Sequence, residues 1–387
     1  MKQIGIVLSQ PPSYSETFFN SKIKGLQDSA YTVTLFVQQN RSGYTSCKVI
    51  EAPKVYRSKL RLLLSFIGVF FSLLPYSLRV FRYMRLERAA GIGFGQVLKH
   101  IYIHAHLLRS TLDWLHFGFA TMALESEHVA KAIGAKMAVS CRGYDLDVYP
   151  LKYPKAYSLL WTHTDKVHAI SNYMLQRAYA TGLPSTTPSA IIPPAVLVPE
   201  LESSKGLISS PVQITSIARL HWIKGLSDTL EALALLKQEG LQFHYRIIGE
   251  GPELASLKFA VHQLGLTDEV VFCGRLAHDA AMRVLEHSSI YIQYSYSEGF
   301  CNAVLEAQVR GCLCVVSDGG ALPENIIDEQ TGWVVEKRNA SALAKRLLEV
   351  IHLPEAEQHR IRQAAIERVT TRFNLKDQHQ AFLAFYE

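Results

Sequence analysis

Residues 289–317 read SIYIQYSYSEGFCNAVLEAQVRGCLCVVS, and segments of three different kinds follow one another in this stretch. SIYIQYS (289–295) is a β-branched and aromatic run, which predicts a strand. NAVLEAQVRG (302–311) has the pattern of a helix that ends at its last glycine, and LCVVS (313–317) predicts the next strand. Apolar strands joined by a helix are typical of a parallel sheet with both faces covered.

The same alternation continues along the whole chain. Before residue 191 the strand-like runs are QIGIVLS, TVTLFVQ, WLHFGF, KMAVSC and VHAIS, and after residue 211 they include VQITSIA, FHYRIIG, EVVFCG and GWVVE. The segment between them is rich in proline and serine, as linkers are. At 387 residues, two domains are the natural expectation. We therefore expect two doubly wound, Rossmann-like α/β domains that face each other across a cleft, with ligands at the carboxyl ends of the strands.

The expected division of the chain has four parts. The first domain covers residues 1–195, a linker covers 196–211, and the second domain covers 212–368. A C-terminal helix at 369–387 is expected to pack back on the first domain. The opening residues, MKQIGIVLSQPPS, predict a first strand rather than a signal peptide, because their apolar run is short and ends at prolines.

Composition limits the class of protein. Apolar residues make up 48% of the chain and charged residues 19%, which indicates a folded globular protein with a large core. The six cysteines lack metal-ligand spacing, and Cys312 and Cys314 fit reduced core thiols on a buried strand. These features predict a protein of the reducing cytoplasm.

A basic and apolar segment stands apart from the α/β alternation. Residues 62–78 carry no charge, and four basic residues lie on each side of them, within 54–61 and 79–88. Seventeen residues with an internal proline barely reach the length of a membrane-spanning helix. On a helical wheel, the arginines at 79, 82, 85 and 88 occupy one side, and Val80, Tyr83 and Met84 lie opposite. This pattern predicts a basic amphipathic helix on an anionic membrane, and the alternative is a core helix with a solvated basic face.

Two motifs of the second half carry chemistry. SIARLHWIKGL (216–226) places Arg219 just after a strand and Lys224 before a helix, and two such cations suit a diphosphate. EGFCNAVLE (298–306) places two glutamates eight positions apart, Glu298 on a loop and Glu306 inside the predicted helix. In helical geometry this spacing would leave the two carboxylates within about 80° of each other, so both could face one ligand.

These motifs, followed by SDGGALPE (317–324) and TGWV (331–334), resemble a large family of retaining glycosyltransferases. It is glycosyltransferase family four, of GT-B fold, which includes mannosyl- and glucosyltransferases of bacterial cell-surface polysaccharides. The first half fits more loosely, through DWLHFGF (113–119), SCRGYD (140–145) and HAISNYM (168–174). The chain looks most similar to the branch that makes exopolysaccharide and colanic-acid-like polymers.

The resemblance implies a role for each matching residue. Arg219 and Lys224 would hold the donor diphosphate, Glu306 would accept hydrogen bonds from the ribose, and Glu298 would contact the donor sugar. His116 matches the histidine near the anomeric carbon, so the implied catalytic pair is His116 and Glu298. The remaining implied donor contacts come from backbone beside the sugar and from residues along the base: Gly299, Phe300, Gly274 and Arg275. The family needs no obligatory metal and no cofactor beyond the nucleotide sugar, which would be UDP- or GDP-linked.

On the acceptor side the chain departs from the family pattern. PPSYSETF (11–18) replaces the early glycine-rich loop, and Glu16 within it is an acceptor-side candidate. Many relatives carry a histidine where this chain has Arg142, which could instead meet an anionic acceptor such as a lipid diphosphate. Asp145 is the third candidate, although Arg142 and Asp145 could also form a structural ion pair.

The expected function is transfer of a hexosyl residue, with retention, from a nucleotide sugar to a lipid-linked saccharide of a bacterial surface polysaccharide. The expected location is cytoplasmic, peripheral on the inner face of the plasma membrane, without nucleic acid as a partner. Two alternatives remain. A sugar-nucleotide epimerase of related fold would show the same donor motifs. A polyanion- or RNA-binding protein would fit the basic first half, in which residues 1–200 hold 22 Lys and Arg against 11 Asp and Glu.

Overall fold

The computed structural model describes residues 2–12, 17–198 and 206–387, and the chain forms two compact units. The first unit comprises Met1–Ile170, Met174–Ile192 and His379–Glu387. The second comprises Ser171–Tyr173 and Pro193–Gln378.

The first unit is built on a parallel sheet of seven strands. These strands are β1 (Gln3–Val7), β2 (Thr32–Val37), β3 (Lys48–Glu51), β4 (Trp114–Phe117), β5 (Lys136–Cys141), β6 (Lys166–Ala169) and β7 (Ser189–Ile191). Their spatial order is β3-β2-β1-β4-β5-β6-β7. Every residue of β4 is buried, which explains why the central strands read as continuous apolar runs.

The second unit has a parallel sheet of six strands. They are β8 (Val212–Ile217), β9 (Phe243–Ile248), β10 (Val270–Gly274), β11 (Ile290–Gln293), β12 (Leu313–Ser317) and β13 (Trp333–Val335). Their order is β10-β9-β8-β11-β12-β13, and every strand pair is parallel. Apolar side chains of both faces pack under the helices and form the core of this unit.

Helices connect the strands and cover the sheets. Between β1 and β7 they are α1 (Thr17–Asp28), α2 (Lys59–Ser72), α3 (Ser77–Ala89), α4 (Phe94–Leu108), α5 (Ala120–Ala123), α6 (Val129–Ile133), α7 (Tyr149–Lys152), α8 (Ser158–His163) and α9 (Asn172–Ala180). The others are α10 (Leu226–Gln238), α11 (Leu254–Gln263), α12 (His278–Glu286), α13 (Asn302–Gln308), α14 (Leu322–Asn325), α15 (Ala340–Ile351), α16 (Glu355–Arg372) and α17 (Leu375–Tyr386). Short 3₁₀ turns occupy Leu74–Tyr76 and Trp222–Lys224, and a π-helical turn occupies Tyr144–Val148.

The predicted class, two doubly wound parallel sheets with covering helices, is confirmed. Two strands were not predicted, β3 and β7, because both are short edge strands with half-exposed side chains and little apolar signal. The unit boundaries also differ from the predicted ones. The segment expected at 369–387 is divided, since residues up to Gln378 belong to the second unit and only the last nine belong to the first.

The basic and apolar segment forms two helices, α2 and α3, and the side of α3 opposite the arginines includes the buried Tyr83, which packs on the fold. In α3 the buried residues are Tyr83 and Glu87, whereas Leu78 and Phe81 are exposed. Arg79 donates to the carbonyl oxygen of Ser110 at 2.5 Å, just beyond the C-terminal end of α4. Arg82, Arg85 and Arg88 are exposed, whereas Arg79 is partly buried and holds the helix on the fold.

The same two helices bear on membrane crossing. Within the described ranges, no single helix is long and apolar enough to cross a bilayer. Lys59–Ser72 and Leu74–Ala89 reach the required length and composition together, but they meet at an angle of 52°.

Candidate functional site

The second sheet has a topological switch point between its central strands β8 and β11. From β8 the chain builds outward through β9 and β10 on one side, and then returns to add β11 on the other side. In open α/β sheets, ligands bind outside the carboxyl ends of the strands at this point. Lys224 lies on the loop after β8, and Glu298 lies on the loop after β11. The fold thus brings the two predicted donor motifs to the edge where a ligand is expected.

Lys224 and Glu298 form an ion pair, with each side chain only 13% exposed. The Glu298 carboxylate also accepts hydrogen bonds from Ser295 at 3.2 Å and from Gln293 at 3.4 Å. Gln293 is in turn held by the Tyr291 hydroxyl at 2.7 Å. Sequence reasoning missed Gln293 and Ser295, although two polar residues in alternation at the end of an apolar strand were a usable signal.

Two glycines allow the loops around this pair to approach closely. Gly225 has φ +60°, and a Cβ there would overlap the carbonyl oxygen of Tyr294. Gly320 has φ +66°, and a Cβ there would overlap the backbone of Glu298. L-residues with side chains are strained in this region of φ, so glycine is required on both conformational and steric grounds. The two glycines therefore place Lys224 and Glu298 against each other.

Arg219 lies on the same loop as Lys224, and its side chain is exposed. Among the described residues, its guanidinium makes neither a hydrogen bond nor an ion pair. Gly274 ends the edge strand β10 with φ +64°, and its carbonyl accepts from the Gly249 backbone N–H at 2.9 Å. Arg275 follows on an exposed loop. Arg219, Gly274 and Arg275 lie at the carboxyl ends of β8 and β10, and their contacts with a base or a diphosphate stay predictions.

Glu306 lies inside α13 as predicted, but its partner was not foreseen. Its carboxylate oxygen is 2.9 Å from Nε2 of His278, the first residue of α12. This hydrogen bond, opposed by partial burial, raises the pKa of His278 above its ordinary value. Glu298 precedes the helix, so the helical-wheel argument does not apply to it. The two glutamates have different partners, and their sharing of one ligand stays a prediction.

The Phe300 side chain has a packing role. Its ring lies 5.5 Å from the ring of Phe373, in a cluster that includes Val196 and Leu305. Gly299 is buried beside it. The predicted backbone contacts of these two residues with a sugar are compatible with that packing but are not tested by it.

The catalytic assignment of His116 is corrected, because the residue is fully buried in β4. Its Nδ1 lies 2.6 Å from the Tyr386 hydroxyl and 3.2 Å from Nζ of Lys22, and its Nε2 lies 2.8 Å from the Ser140 hydroxyl. Burial and the neighbouring Lys22 hold the pKa of His116 well below its ordinary value. A side chain with no exposed surface cannot touch a substrate, so in this structure His116 is a core histidine.

Of the two acceptor-side candidates that the structure describes, Arg142 is partly exposed and Asp145 is not. Its guanidinium stacks on the ring of Phe18 at 3.9 Å, and its Nε donates to the Gly118 carbonyl oxygen at 3.1 Å. Asp145 is fully buried, and its carboxylate accepts from the Thr121 hydroxyl at 2.7 Å and from two backbone N–H groups at the start of α5. Asp145 is therefore a structural residue. Glu16 lies outside the described residues.

In the part of the chain that the structure describes, no group of three or more His, Cys, Asp or Glu residues is placed to hold a metal ion.

Comparison with known families identifies relatives over much of the chain. A family model described as "Glycosyl transferases group 1" matches residues 199–368. The chain is 30% identical over 278 residues to the amylovoran biosynthesis glycosyltransferase AmsK of Erwinia amylovora, covering 69% of this chain and 67% of that protein. It is 27% identical over 276 residues to WcaL of Escherichia coli (strain K12), a colanic acid biosynthesis glycosyltransferase by name, covering 67% and 66%. The chain thus spans about two thirds of the length of these curated relatives.

One shorter sequence match and two solved structures are also similar to this chain. Over 141 residues the chain is 31% identical to a Campylobacter jejuni protein named N,N'-diacetylbacillosaminyl-diphospho-undecaprenol alpha-1,3-N-acetylgalactosaminyltransferase, covering 35% of this chain and 34% of that protein. Sucrose-phosphate synthase of Thermosynechococcus elongatus superposes with a TM-score of 0.75 at 14% identity, covering 100% of this chain and 98% of that chain. Anabaena HepE, solved with UDP and glucose, superposes with a TM-score of 0.73 at 14% identity, covering 99% of each chain. At such identities the structures show the shared fold alone.

Proposed function

The chain belongs to the glycosyl transferases group 1 family, and on that premise we propose that it transfers a hexosyl residue from a nucleotide sugar to a lipid-linked saccharide. The relatives AmsK and WcaL are named for amylovoran and colanic acid biosynthesis, so the product would be a bacterial surface polysaccharide. The acceptor class draws support from the Campylobacter relative, whose name specifies a diphospho-undecaprenol acceptor.

The observation that carries the proposal is the Lys224–Glu298 pair at the switch point of the second sheet. A largely buried ammonium held by one carboxylate can exchange that partner for a donor diphosphate. Arg219, exposed on the same loop, would supply the second positive charge. A UDP- or GDP-linked sugar fits this arrangement, and HepE, which shares the fold, was solved with UDP.

The chemistry asks the protein to stabilise a sugar cation and a departing diphosphate together. Lys224 and Arg219 would stabilise the diphosphate as its bond to the anomeric carbon breaks, which is why we propose a reaction without a metal ion. Glu298, released from Lys224 by the diphosphate, would then hold the sugar. We propose retention by attack on the same face, in which the acceptor oxygen bonds to the anomeric carbon and its proton passes to the leaving phosphate.

The acceptor saccharide would bind in the first unit. A cavity of about 710 Å³ lies at the carboxyl ends of β1, β2 and β3, where parallel sheets bind ligands. Its lining mixes apolar and hydrogen-bonding side chains, among them Leu8, Gln38, Lys54, Thr121 and Ser126. Such a mixed surface suits a saccharide, which has apolar ring faces and hydroxyl edges.

We also propose that the protein works at the inner face of the plasma membrane, without nucleic acid as a partner. Support comes from the basic and apolar segment at 54–88, in which exposed cations flank exposed apolar side chains. A lipid-linked acceptor would be found at the same surface.

The test begins with the donor. Thermal melts of the purified protein with UDP, GDP and their sugar conjugates should show one base that raises the melting temperature, because ligand binding stabilises the folded state. Transfer of a labelled sugar to membrane lipid extract should then depend on that donor and on Lys224. Conversion of the nucleotide sugar to its epimer without an acceptor would favour the epimerase, and an RNA gel shift without donor binding would favour the nucleic-acid alternative.

A further inference from the structure

Helix α2 and its continuation expose a row of large apolar side chains. In α2 no residue is buried. Apart from the adjacent pair Leu63 and Leu64, the exposed residues follow one another at steps of three and four, as one face of a helix does, and they continue past the bend into α3. Their side chains are between 47% and 82% exposed, and we call them the apolar stripe: Leu60, Leu63, Leu64, Ile67, Phe71, Leu74, Leu78 and Phe81. A continuous exposed patch of this kind marks an interaction surface.

The inner side of the two helices is fixed to the fold. Phe66 stacks on Tyr102 of α4, with ring centroids 4.4 Å apart, and the Ser65 hydroxyl lies 2.7 Å from the Tyr102 hydroxyl. The buried Glu87 carboxylate lies 2.7 Å from a ring nitrogen of His100 and 2.7 Å from one of His128. Because these contacts hold both helices on one side, the stripe is the side that is left for a partner.

Positive charge gathers at the start of the stripe. Lys54, Arg57, Lys59 and Arg61 are exposed, and among the described residues none of their side chains forms a hydrogen bond or an ion pair. We call these four residues the basic cluster. No Asp or Glu occurs between residues 52 and 86. Two copies of this surface would therefore bring only like charges together, whereas an anionic lipid surface would neutralise them.

We propose that the apolar stripe inserts into one leaflet of an anionic membrane while the basic cluster contacts lipid phosphates, so that the segment lies in the membrane surface. The inference deepens the membrane location proposed above and rests on it. Tyr83, Glu87 and Arg79 hold α3 on the fold through hydrogen bonds. A membrane-spanning state would have to break these bonds, so they oppose it. The insertion is driven mainly by apolar burial, and charge adds preference for anionic lipid.

Vesicle flotation tests the surface. The probes are phosphatidylcholine vesicles with and without phosphatidylglycerol, at low and high salt. Wild-type protein should float with both, more strongly with phosphatidylglycerol, and should keep a bound fraction at high salt. The triple change Leu64→Ser, Ile67→Ser and Phe71→Ser should lower the partition coefficient at least about a hundredfold at either salt concentration.

Matched variants separate the contributions. Leu254→Ser with Phe259→Ser and Val271→Ser removes three exposed apolar side chains from the second unit and should leave partitioning unchanged. Arg57→Gln with Lys59→Gln and Arg61→Gln should remove the preference for anionic lipid and its salt dependence. Arg79→Gln should lower the unfolding temperature without changing partitioning, because Arg79 bonds to the fold rather than to lipid.

Several outcomes would overturn the inference. One is a stripe variant that is folded, by circular dichroism and melting temperature, and still floats like wild type. Another is a wild-type protein that sediments as a dimer without lipid, loses the dimer in the stripe variant and does not float. A third is resistance to alkaline extraction, which would indicate a span. Nucleotide melts on the same variants keep the two proposals apart, since the stripe variant should retain donor binding.

Discussion

The Lys224–Glu298 pair makes a prediction in which binding and catalysis change in opposite directions. Glu298→Gln keeps the shape of the side chain and its hydrogen bonds from Ser295 and Gln293, but removes the charge that neutralises Lys224. The ligand-free protein should lose stability, because a largely buried ammonium is left without its counter-charge. A nucleoside diphosphate would restore that counter-charge and should therefore bind more tightly to the variant than to wild type.

The size of the effect follows from the burial of the pair. Breaking a fully buried ion pair costs about 3 to 5 kcal/mol, whereas an exposed pair contributes about 0 to 1 kcal/mol. With 13% exposure on each side and glutamine still able to accept hydrogen bonds, we expect a loss of about 2 kcal/mol in the free energy of unfolding. Recovery of most of that energy on binding would make the product affinity up to about tenfold higher, since about 1.4 kcal/mol corresponds to a factor of ten.

Transfer should fall in the same variant, by about a hundredfold or more, if the Glu298 carboxylate supports the transition state. The assays are urea unfolding, calorimetric titration with the nucleoside diphosphate that binds wild type, and steady-state transfer kinetics. Glu306→Gln is the matched control and should weaken product binding, because the proposed ribose contact would be present in the product. The reasoning is refuted if Glu298→Gln binds the diphosphate more weakly than wild type, or if it transfers sugar at the wild-type rate.

Three further predictions concern single side chains. Arg219→Ala and Lys224→Ala should each weaken nucleoside diphosphate binding by about 1.5 to 3 kcal/mol, measured by calorimetry, and unchanged affinity would remove that residue from the site. The hydrogen bond to Glu306 raises the pKa of His278 in the folded protein, so this bond stabilises the fold while His278 is protonated. The stabilisation is fully present below the pKa of histidine in the unfolded chain, about 6.5, and is lost as the pH rises through the pKa of the folded state. The difference in unfolding free energy between wild type and His278→Ala should therefore shrink from acidic to alkaline pH. The change should be no more than about 0.5 kcal/mol, because the His278 side chain is 45% exposed. A difference that does not depend on pH would contradict this prediction. His116→Asn should lower the free energy of unfolding by about 2 to 3 kcal/mol with nucleoside diphosphate binding unchanged, whereas full stability with lost transfer would return His116 to a catalytic role.

The central strands were predictable because both faces of a parallel sheet are covered. LCVVS and SIYIQYS became β12 and β11 close to their expected positions, since every residue of both strands is buried and most of them are apolar. The edge strand β3 was not predicted, because its residues are partly exposed and do not form a run of apolar residues. In the candidate site, the positions of Lys224 and Glu298 could be predicted from their sequence motifs. The residues that form hydrogen bonds with Glu298 and Glu306 could not. Gln293 and His278 are polar residues of ordinary appearance, and they become relevant only through the packing of other elements.

By itself the sequence determined the class of fold and the residues that could carry the donor chemistry. Those features depend on local properties: the period of apolar residues and the chemistry of side chains within a few positions. Only the tertiary structure decided which of those side chains are accessible. His116 became a core residue because Tyr386, 270 positions away in the chain, covers it. Arg79 binds the fold because the carbonyl of Ser110, 31 positions away in the chain, lies beside it. The burial of a side chain is set by distant segments of the chain, and no local sequence pattern encodes which of those segments will pack against it.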